Sequence, residues 1–225
     1  MQTLLLLFAA LAQDERHPWQ GAGAGAWVEL KTTTGKVVTV EKSTATKVAG
    51  DTVSLTIETT REGKTDTRTE ELFAKSVPPA YGGVEKGKKA ITIDGKKFEA
   101  TLKEEEGFYG VSKFTQGKTK ATRTICAGVP TPGGLVEEEW VMTQVDVVKA
   151  KKSFKLEKLA EKRKIGDKTV SCWVTTRAAD EDGKQTTEKA WNSHEVPGAV
   201  VRIERTVKGA ESTTTTVVEA TGFGR

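Results

Sequence analysis

Short runs of residues that alternate between apolar and polar side chains, separated by glycine-containing turns, constrain this chain more than any other feature. Val53, Leu55 and Ile57 alternate with polar neighbours, which is the two-residue period of a strand with one buried face. Residues branched at Cβ, which suit a pleated sheet better than a helix, are abundant. Turn signals recur along the chain, at Gly50-Asp51, Glu62-Gly63, Asp94-Gly95, Gly166-Asp167, Asp182-Gly183 and Lys208-Gly209. Several of them follow one another at a spacing of about 8–12 residues, which is typical of antiparallel sandwiches and barrels. The sequence therefore predicts an all-β, antiparallel fold.

Two regions of the chain, residues 84–143 and 156–208, resemble each other and predict an internal two-fold repeat. Val84–Leu102 aligns without gaps with Leu156–Val174, and the apolar positions near the end of each block coincide. Two copies are too few for a solenoid. We therefore expect two similar meanders within one strongly curved sheet or incomplete barrel.

A Pro-Gly pair follows the aligned block in each region, Pro132-Gly133 in the first and Pro197-Gly198 in the second. Proline fixes φ near −65° and glycine readily takes a positive φ, so both pairs suit a type II turn that leads into a strand. The two pairs are predicted to occupy equivalent turns. Because the first region is longer, the extra residues Glu104–Gln116 are expected to form a loop.

Four matched apolar residues of the repeat, Phe98, Leu102, Val170 and Val174, form the candidate ligand-binding face. Their even spacing within each strand puts them on one side of the sheet. If that side lines a hollow, an apolar ligand can share the burial, because the hydrophobic effect does not distinguish chain from ligand. The same residues could equally fill a core of their own.

Two further stretches depart from the simple strand pattern. Ser153–Lys164 contains good helix formers and could form a short helix, but its match to the first repeat favours an irregular approach to a strand. Ala74–Gly87 contains two prolines and paired glycines, which predicts a loop between the two halves of the fold.

The N-terminus carries the features of a signal peptide. Leu4–Ala12 is a short apolar run that ends in a small-x-small cleavage site, and it is too short to span a bilayer as a helix. No Lys or Arg precedes it, which is atypical, and a buried N-terminal helix or strand is the alternative. We predict a signal peptide at residues 1–12, a flexible glycine-rich linker at 13–25, one β-rich domain at 26–225, and an exported protein, periplasmic or extracellular.

Composition argues against nucleic acid and membrane-spanning functions. The net charge is +4, but lysine and arginine lie beside aspartate and glutamate throughout, whereas a nucleic-acid-binding surface concentrates its basic residues. No segment after the apolar run is hydrophobic enough to cross a membrane as a helix. We predict no nucleic-acid partner and no transmembrane segment, and leave lipid or another envelope protein as possible partners.

The cysteines and histidines do not predict a metal or cofactor site. Cys126 and Cys172 lie in strand-like runs, where a small buried thiol is common, and the sequence leaves open whether they form a disulfide. With His17 and His194 far away along the chain, they lack the spacing of zinc ligands.

No enzymatic motif is present, and the sequence predicts a non-enzymatic protein. It has no nucleophile elbow, phosphate-binding loop or dinucleotide fingerprint. His194 and Glu195 are adjacent on an extended segment, so they point to opposite sides, and His194 is expected at the surface. Glu104–Glu106 and Glu137–Glu139 could supply the carboxylate pair of a glycosidase, but acidic runs are more typical of solvated faces.

Several segments together resemble a known class of proteins: Gly95–Phe98, Trp191–Ser193, Val196–Glu204, His17–Trp19 and Gly25–Val28. This pattern is similar to that of uncharacterised bacterial exported proteins and, more loosely, to the half-barrel of periplasmic lipoprotein carriers of the LolA-like type. The resemblance implies an incompletely closed antiparallel sheet around an apolar hollow that accepts acyl chains. No binding residue of those carriers can be matched to a position in this chain.

Two hypotheses of function follow. The first is a non-catalytic structural or interaction module of the cell envelope that holds no small ligand. The alternative is a carrier that binds an apolar or acyl-chain ligand in the hollow of the sheet. A cavity in the curved sheet would favour the carrier, and a sheet filled by its own side chains would favour the structural module.

Overall fold

The computed structural model describes residues 19, 21–73, 81–110, 116–144, 147–181 and 183–225. The predicted signal peptide lies outside these residues. The described part of the chain forms thirteen β-strands: β1 Trp27–Thr34, β2 Val37–Ala49, β3 Thr52–Arg61, β4 Lys64–Phe73, β5 Val84–Ile93, β6 Lys96–Gly110, β7 Gln116–Ile125, β8 Leu135–Gln144, β9 Val147–Ile165, β10 Lys168–Glu181, β11 Lys184–Asn192, β12 Val200–Lys208 and β13 Thr213–Gly224.

All of these strands belong to one antiparallel sheet, in the order β4-β3-β2-β1-β13-β12-β11-β10-β9-β8-β7-β6-β5. Strands β4 and β5 are its two edges, so the sheet does not close into a barrel. Except for the pairing of β1 with β13, neighbours in the sheet are neighbours along the chain. The predicted all-β, antiparallel fold is confirmed. Among the described residues, no helix has the length and apolar character needed to cross a membrane.

The hairpin turns explain why the chain reverses where the sequence predicts. At Glu62-Gly63 both residues have positive φ, 52° and 76°, and at Asp94-Gly95 the values are 49° and 75°. Two successive positive φ angles are the mark of a type I′ turn, whose twist matches that of the flanking strands. Glycine takes this conformation without strain, and aspartate tolerates it better than most residues.

The strands overlap three stretches that the sequence predicts to be irregular. Ser153–Lys164 lies within β9, so the helical alternative is wrong and the segment is part of a strand instead of an irregular approach to one. Most of the loop predicted at Glu104–Gln116 is also wrong, because β6 continues to Gly110 and pairs with β7 along its whole second half. Of the loop predicted at Ala74–Gly87, residues 84–87 belong to β5, and residues 74–80 lie outside the described residues.

The two Pro-Gly loops have the same place in the topology. One joins β7 to β8 and the other joins β11 to β12, the third and fourth strands of their regions. In the first, the Cys126 N–H donates to the Gly134 carbonyl at 2.7 Å, and in the second the Ser193 N–H donates to the Ala199 carbonyl at 2.8 Å. In each case the pairing of the two strands that the loop joins contains a register shift close to the loop. The loops are similar, and superposition of the complete regions remains a prediction.

At both pairs the glycine takes the positive φ that the turn prediction requires, 55° at Gly133 and 79° at Gly198, near the value of about 80° at the third residue of a type II turn. Each turn is closed by a backbone hydrogen bond, from the Gly134 N–H to the Thr131 carbonyl at 3.0 Å and from the Ala199 N–H to the Val196 carbonyl at 2.8 Å. A second positive φ follows in each loop, 72° at Gly134 and 61° at Ala199.

Most of the buried apolar side chains lie at one end of the sheet, where β1, β3, β10 and β12 begin, and we call this the packed end. A first cluster there comprises Trp19, Ala22, Ala26, Val28, Ala45, Val53, Leu55, Ile57, Ile165, Val170, Cys172, Val174, Trp191, Val196 and Val201. A second comprises Ile93, Ala100, Cys126, Val129, Val136, Leu156, Trp173 and Ala199. Trp19 and Ala22 are buried, so this part of the predicted linker packs against the domain instead of being flexible.

Trp173 and Cys172 show that the sheet is covered on both faces at the packed end. As neighbours on β10 they point to opposite sides, yet both are buried, Cys172 in the first cluster and Trp173 in the second. Trp191, also buried, donates its indole N–H to Glu161 Oε1 at 2.8 Å. Trp173 and Trp191 therefore belong to the core, and the indole N–H of Trp191 is satisfied, as expected for a buried ring.

Candidate ligand-binding cavity

The opposite end of the same strands encloses a cavity of about 1060 Å³, and we call it the open end. Residues of β1–β3 line one side and residues of β8–β13 line the rest, together with Tyr81. Strands β3 and β8 are far apart in the order of the sheet. They can line one cavity only because the sheet curls strongly, which gives it a concave face at this end.

A row of directly opposed residues crosses the concave face from β7 to β1, and we call it the cross-strand row. It consists of Arg123, Glu138, Phe154, Arg177, Glu188, Arg205, Thr216 and Thr34. Directly opposed side chains of antiparallel strands lie on the same face about 4.5–5.5 Å apart at Cβ. All members except Arg123 line the cavity.

Two arginines of the row are held by carboxylates. The Arg205 Nε donates to Glu188 Oε2 at 2.8 Å, and its Nη2 donates to the same oxygen. Arg123 donates from Nε to Glu138 Oε1 at 2.6 Å and from Nη1 to Glu105 Oε2 at 2.5 Å. The two acidic runs of the sequence therefore each contribute one carboxylate to the same arginine.

Arg177, in the middle of the row, is arranged differently. Its guanidinium carbon lies 5.3 Å from the centroid of the Phe154 ring, within the range of a cation–π contact. No acidic side chain of the described residues forms an ion pair with it, although Glu188 and Glu138 lie near enough to act on its charge. Burial lowers the pKa of Arg177 below its ordinary value, but an arginine stays charged at neutral pH. The cavity thus contains a half-buried cation beside an aromatic ring.

Apolar and hydroxyl side chains make up most of the remaining lining. The apolar residues include Leu135, Ile203, Val207 and Val218. The hydroxyl groups come from threonines such as Thr34 and Thr216, whose Oγ1 atoms are hydrogen bonded to each other at 2.9 Å. A cavity with an apolar wall, hydroxyl groups and a central cation suits an amphipathic ligand better than a purely apolar one.

The residues predicted to form the ligand face lie elsewhere. Val170 and Val174 are fully buried in the first cluster of the packed end. Phe98 packs against the second cluster, Leu102 is only partly buried on β6, and none of the four lines the cavity. Protein therefore covers most of these four positions, and the cavity lies at the opposite end of the sheet.

Sequence reasoning missed Arg177 and the cross-strand row. The row is assembled by the register of eight strands, and a register cannot be read from one strand alone. A local signal does exist, because charged Arg177 and Glu188 occupy positions whose strand neighbours on the same face, Thr175 and Ala190, are buried. A charge on a buried face often marks a ligand site or an ion pair.

Cys126, Cys172 and His194, the residues of the sequence considered as metal ligands or reactive groups, do not line the cavity. Cys126 and Cys172 are both buried free thiols, so the open question of a disulfide is answered for this structure. Burial raises the pKa of the Cys172 thiol to about 11. His194 is exposed, as predicted, with its ring centroid 4.5 Å from that of Trp173. Within the described ranges, no group of three His, Cys, Asp or Glu residues is placed to hold a metal ion.

Comparison with known proteins identifies no family for this chain. No family model matches it, and no curated protein matches its sequence. One solved structure that is similar belongs to a putative exported protein with a YmcC-like fold from Bacteroides fragilis NCTC 9343, at 8% identity and a TM-score of 0.42, covering 89% of this chain and 96% of that one. A similarity of this size does not assign a function, and the resemblance to LolA-like carriers is not confirmed.

Proposed function

We propose that this protein is a non-catalytic binding protein or carrier that holds an acyl-chain or other alkyl ligand in the cavity at the open end of its sheet. The observation that carries the proposal is the cavity itself, about 1060 Å³ on the concave face. Pockets for small molecules usually measure about 300–1,000 Å³. The volume is therefore sufficient for a long alkyl chain.

Apolar residues of the cavity lining support an alkyl ligand. Ile203 and Val218, opposed across β12 and β13, are each 2% exposed and are already covered by protein. Val207 on β12 and Val37 on β2 also line the cavity and keep accessible apolar surface, with Val37 39% exposed. Apolar surface removed from water contributes roughly 25 cal/mol per Å², whether the covering group belongs to the protein or to a ligand. A chain lying along this wall would remove from water the apolar surface that the sheet leaves uncovered.

Filling the cavity tests the proposal. Val207→Trp places a large ring inside the cavity, and Thr206→Trp places the same ring on the other face of β12, because neighbouring residues of a strand alternate. We expect a dansyl-labelled fatty acid to bind the native protein saturably at micromolar concentration. Val207→Trp should weaken this binding at least about 10-fold, and Thr206→Trp should leave it unchanged.

Native mass spectrometry of the purified protein supplies an independent measurement, since a bound lipid adds a defined mass. Equal losses in both tryptophan variants would place the dye on the outer surface and count against the cavity. No co-purifying lipid together with no saturable binding would reject the carrier function.

The structural or interaction module is supported by a different observation. Phe73 and Phe108 are 79% and 82% exposed, and large exposed aromatic residues are frequent at protein interfaces. If the lipid experiments fail, Phe73→Ser and Phe108→Ser variants should lose a partner from a crosslinked envelope fraction that the native protein retains.

We also propose that the protein is exported, on the basis of the apolar run Leu4–Ala12 and its cleavage site. Mass spectrometry of the mature chain should find its first residue at or near Gln13. A mature protein that retains Met1 would reject the signal peptide.

A further inference from the structure

We infer that Arg177 binds an anionic head group, a carboxylate or phosphate, at the end of the alkyl ligand, so that the protein selects anionic amphiphiles. This inference rests on the proposed function and names the class of ligand. Three observations support it: Arg177 lies in the middle of the cross-strand row, the carboxylates near it are paired with other arginines, and apolar residues line the cavity on the neighbouring strands.

The carboxylates nearest to Arg177 are already used by other arginines. Glu188 is held by two hydrogen bonds from Arg205, and Glu138 is held by Arg123. Among the described residues, no carboxylate lies within ion-pair distance of Arg177, and no side chain accepts a hydrogen bond from it. A guanidinium carries five N–H donors in a planar fork that matches the two oxygens of a carboxylate or phosphate. The donors of Arg177 are therefore available to a ligand in the cavity.

The charge of the lining favours an anion. Five cationic and three anionic side chains line the cavity among the described residues: Arg61, Lys152, Arg177, Lys184 and Arg205 against Glu138, Glu181 and Glu188. Lys152 pairs with Glu181, with its Nζ 2.5 Å from Glu181 Oε1. After these pairings the excess charge is positive, and partial burial makes the interaction of Arg177 with an anion stronger than it would be in water.

The ring of Phe154 and the apolar wall set the orientation of the ligand. Phe154 lies directly opposite Arg177 on β9, and its ring covers one side of the guanidinium, with 5.3 Å between the guanidinium carbon and the ring centroid. Ile203 and Val218 lie two and three strands away on the same concave face. A head group at Arg177 would therefore leave the alkyl chain beside this wall.

Measuring the affinity of three ligands with the same alkyl chain distinguishes the contribution of the head group from that of the chain. We would titrate dodecanoic acid, dodecyl phosphate and dodecanol by displacement of the dansyl-labelled fatty acid, for the native protein and for Arg177→Gln. We expect Arg177→Gln to weaken the binding of the two anions at least about 10-fold, as for the loss of a charge-assisted bidentate contact. Its effect on the binding of dodecanol should be less than about 2-fold. The ratio of the dissociation constants of the two anions in the native protein identifies which head group the site prefers.

Arg202→Gln is the matched control, because Arg202 pairs with Glu204 and Glu219 and does not line the cavity. It should leave all three affinities unchanged, and Arg177→Lys should recover part of the affinity for the anions. Equal losses for dodecanoic acid and dodecanol in Arg177→Gln would overturn the inference and leave Arg177 a structural residue. If the native protein binds none of the three, the proposed function itself fails.

Discussion

The two ends of the sheet are built from the same strands but filled differently. At the packed end, β10 contributes the fully buried Val170, Cys172 and Val174. Further along the same strand, at the open end, it contributes Arg177 to the lining of a cavity. Strand β9 pairs with β10 at both ends, with register shifts between Cys172 and Thr175, so pairing alone does not decide whether a concave face becomes a core.

The difference follows from side-chain volume and polarity. Apolar side chains, Trp19 among them, fill the packed end, and the resulting contacts stabilise the curl of the sheet. At the open end the lining consists largely of threonines and charged residues such as the ion-paired Arg205, which do not fill the space. The packed end therefore supplies stability, and the open end keeps an unfilled cavity.

The largest expected difference is between a charge placed at each end. Val174→Asp puts a carboxylate at a position that is 0% exposed, where it has no partner, and we expect a loss of about 3 kcal/mol or more in the free energy of unfolding. Val207→Asp at the open end should cost less than about 1 kcal/mol, because its side chain remains in contact with water. Urea denaturation followed by circular dichroism measures both. Similar losses would show that the two ends are equally packed.

Thiol reactivity sharpens the same comparison. Burial raises the pKa of Cys172 to about 11 and also raises the pKa of Cys126, so very little thiolate forms at neutral pH. We expect Cys172 in the native protein to react with a thiol reagent at least about 100-fold more slowly than in the urea-unfolded chain, because a pKa of about 11 leaves roughly 100-fold less thiolate at neutral pH than the ordinary thiol pKa does. A cysteine introduced by Val207→Cys should react readily. Rapid labelling of Cys172 in the native state would show that the packed end opens.

The ion pairs of the cross-strand row should matter more than those on the outer face. The Glu188 side chain is 6% exposed beside Arg205, so Glu188→Gln leaves a half-buried cation short of its partner and should destabilise the fold by about 1–3 kcal/mol. Glu204→Gln removes a partner of Arg202 that is 44% exposed, and its effect should be below about 0.5 kcal/mol. Thermal melting at one salt concentration compares the two. Equal effects would remove the distinction between the two faces.

The smallest expected effect concerns pH at the packed end. Hydrogen bonds from Lys158 and Trp191 lower the pKa of Glu161 to about 2. A lowered pKa in the folded state contributes stability above the unfolded value near 4.5, and this contribution is lost as the pH falls from there towards 2. Because solvent screens this partly exposed group, we expect less than about 1 kcal/mol. Glu161→Gln should remove that part of the pH dependence between pH 5 and 2, and an unchanged profile would contradict the assignment.

Some features of the site were within reach of the sequence and others were not. The match of Ser153–Lys164 to another block argued against a helix but predicted an irregular approach to a strand, whereas the segment lies inside β9. The equivalent places of the Pro-Gly loops followed from the order of the blocks. The candidate ligand face at Phe98, Leu102, Val170 and Val174 does not line the cavity, because an apolar residue in a core and one facing a hollow have the same sequence signal. Glu105 and Glu138 gave no sign that they share Arg123.

The sequence by itself determined the properties that depend on neighbouring residues. The two-residue period determined the strands, and residue pairs such as Glu62-Gly63 and Asp94-Gly95, which adopt positive φ in the structure, determined the reversals. Together they determined an antiparallel all-β chain. Only the tertiary structure decided the register that aligns Arg177 with Glu188 and Arg205. It also decided the curl of the sheet and the end at which the concave face stays unfilled. These properties depend on the sum of packing across strands far apart in sequence, which no local pattern contains.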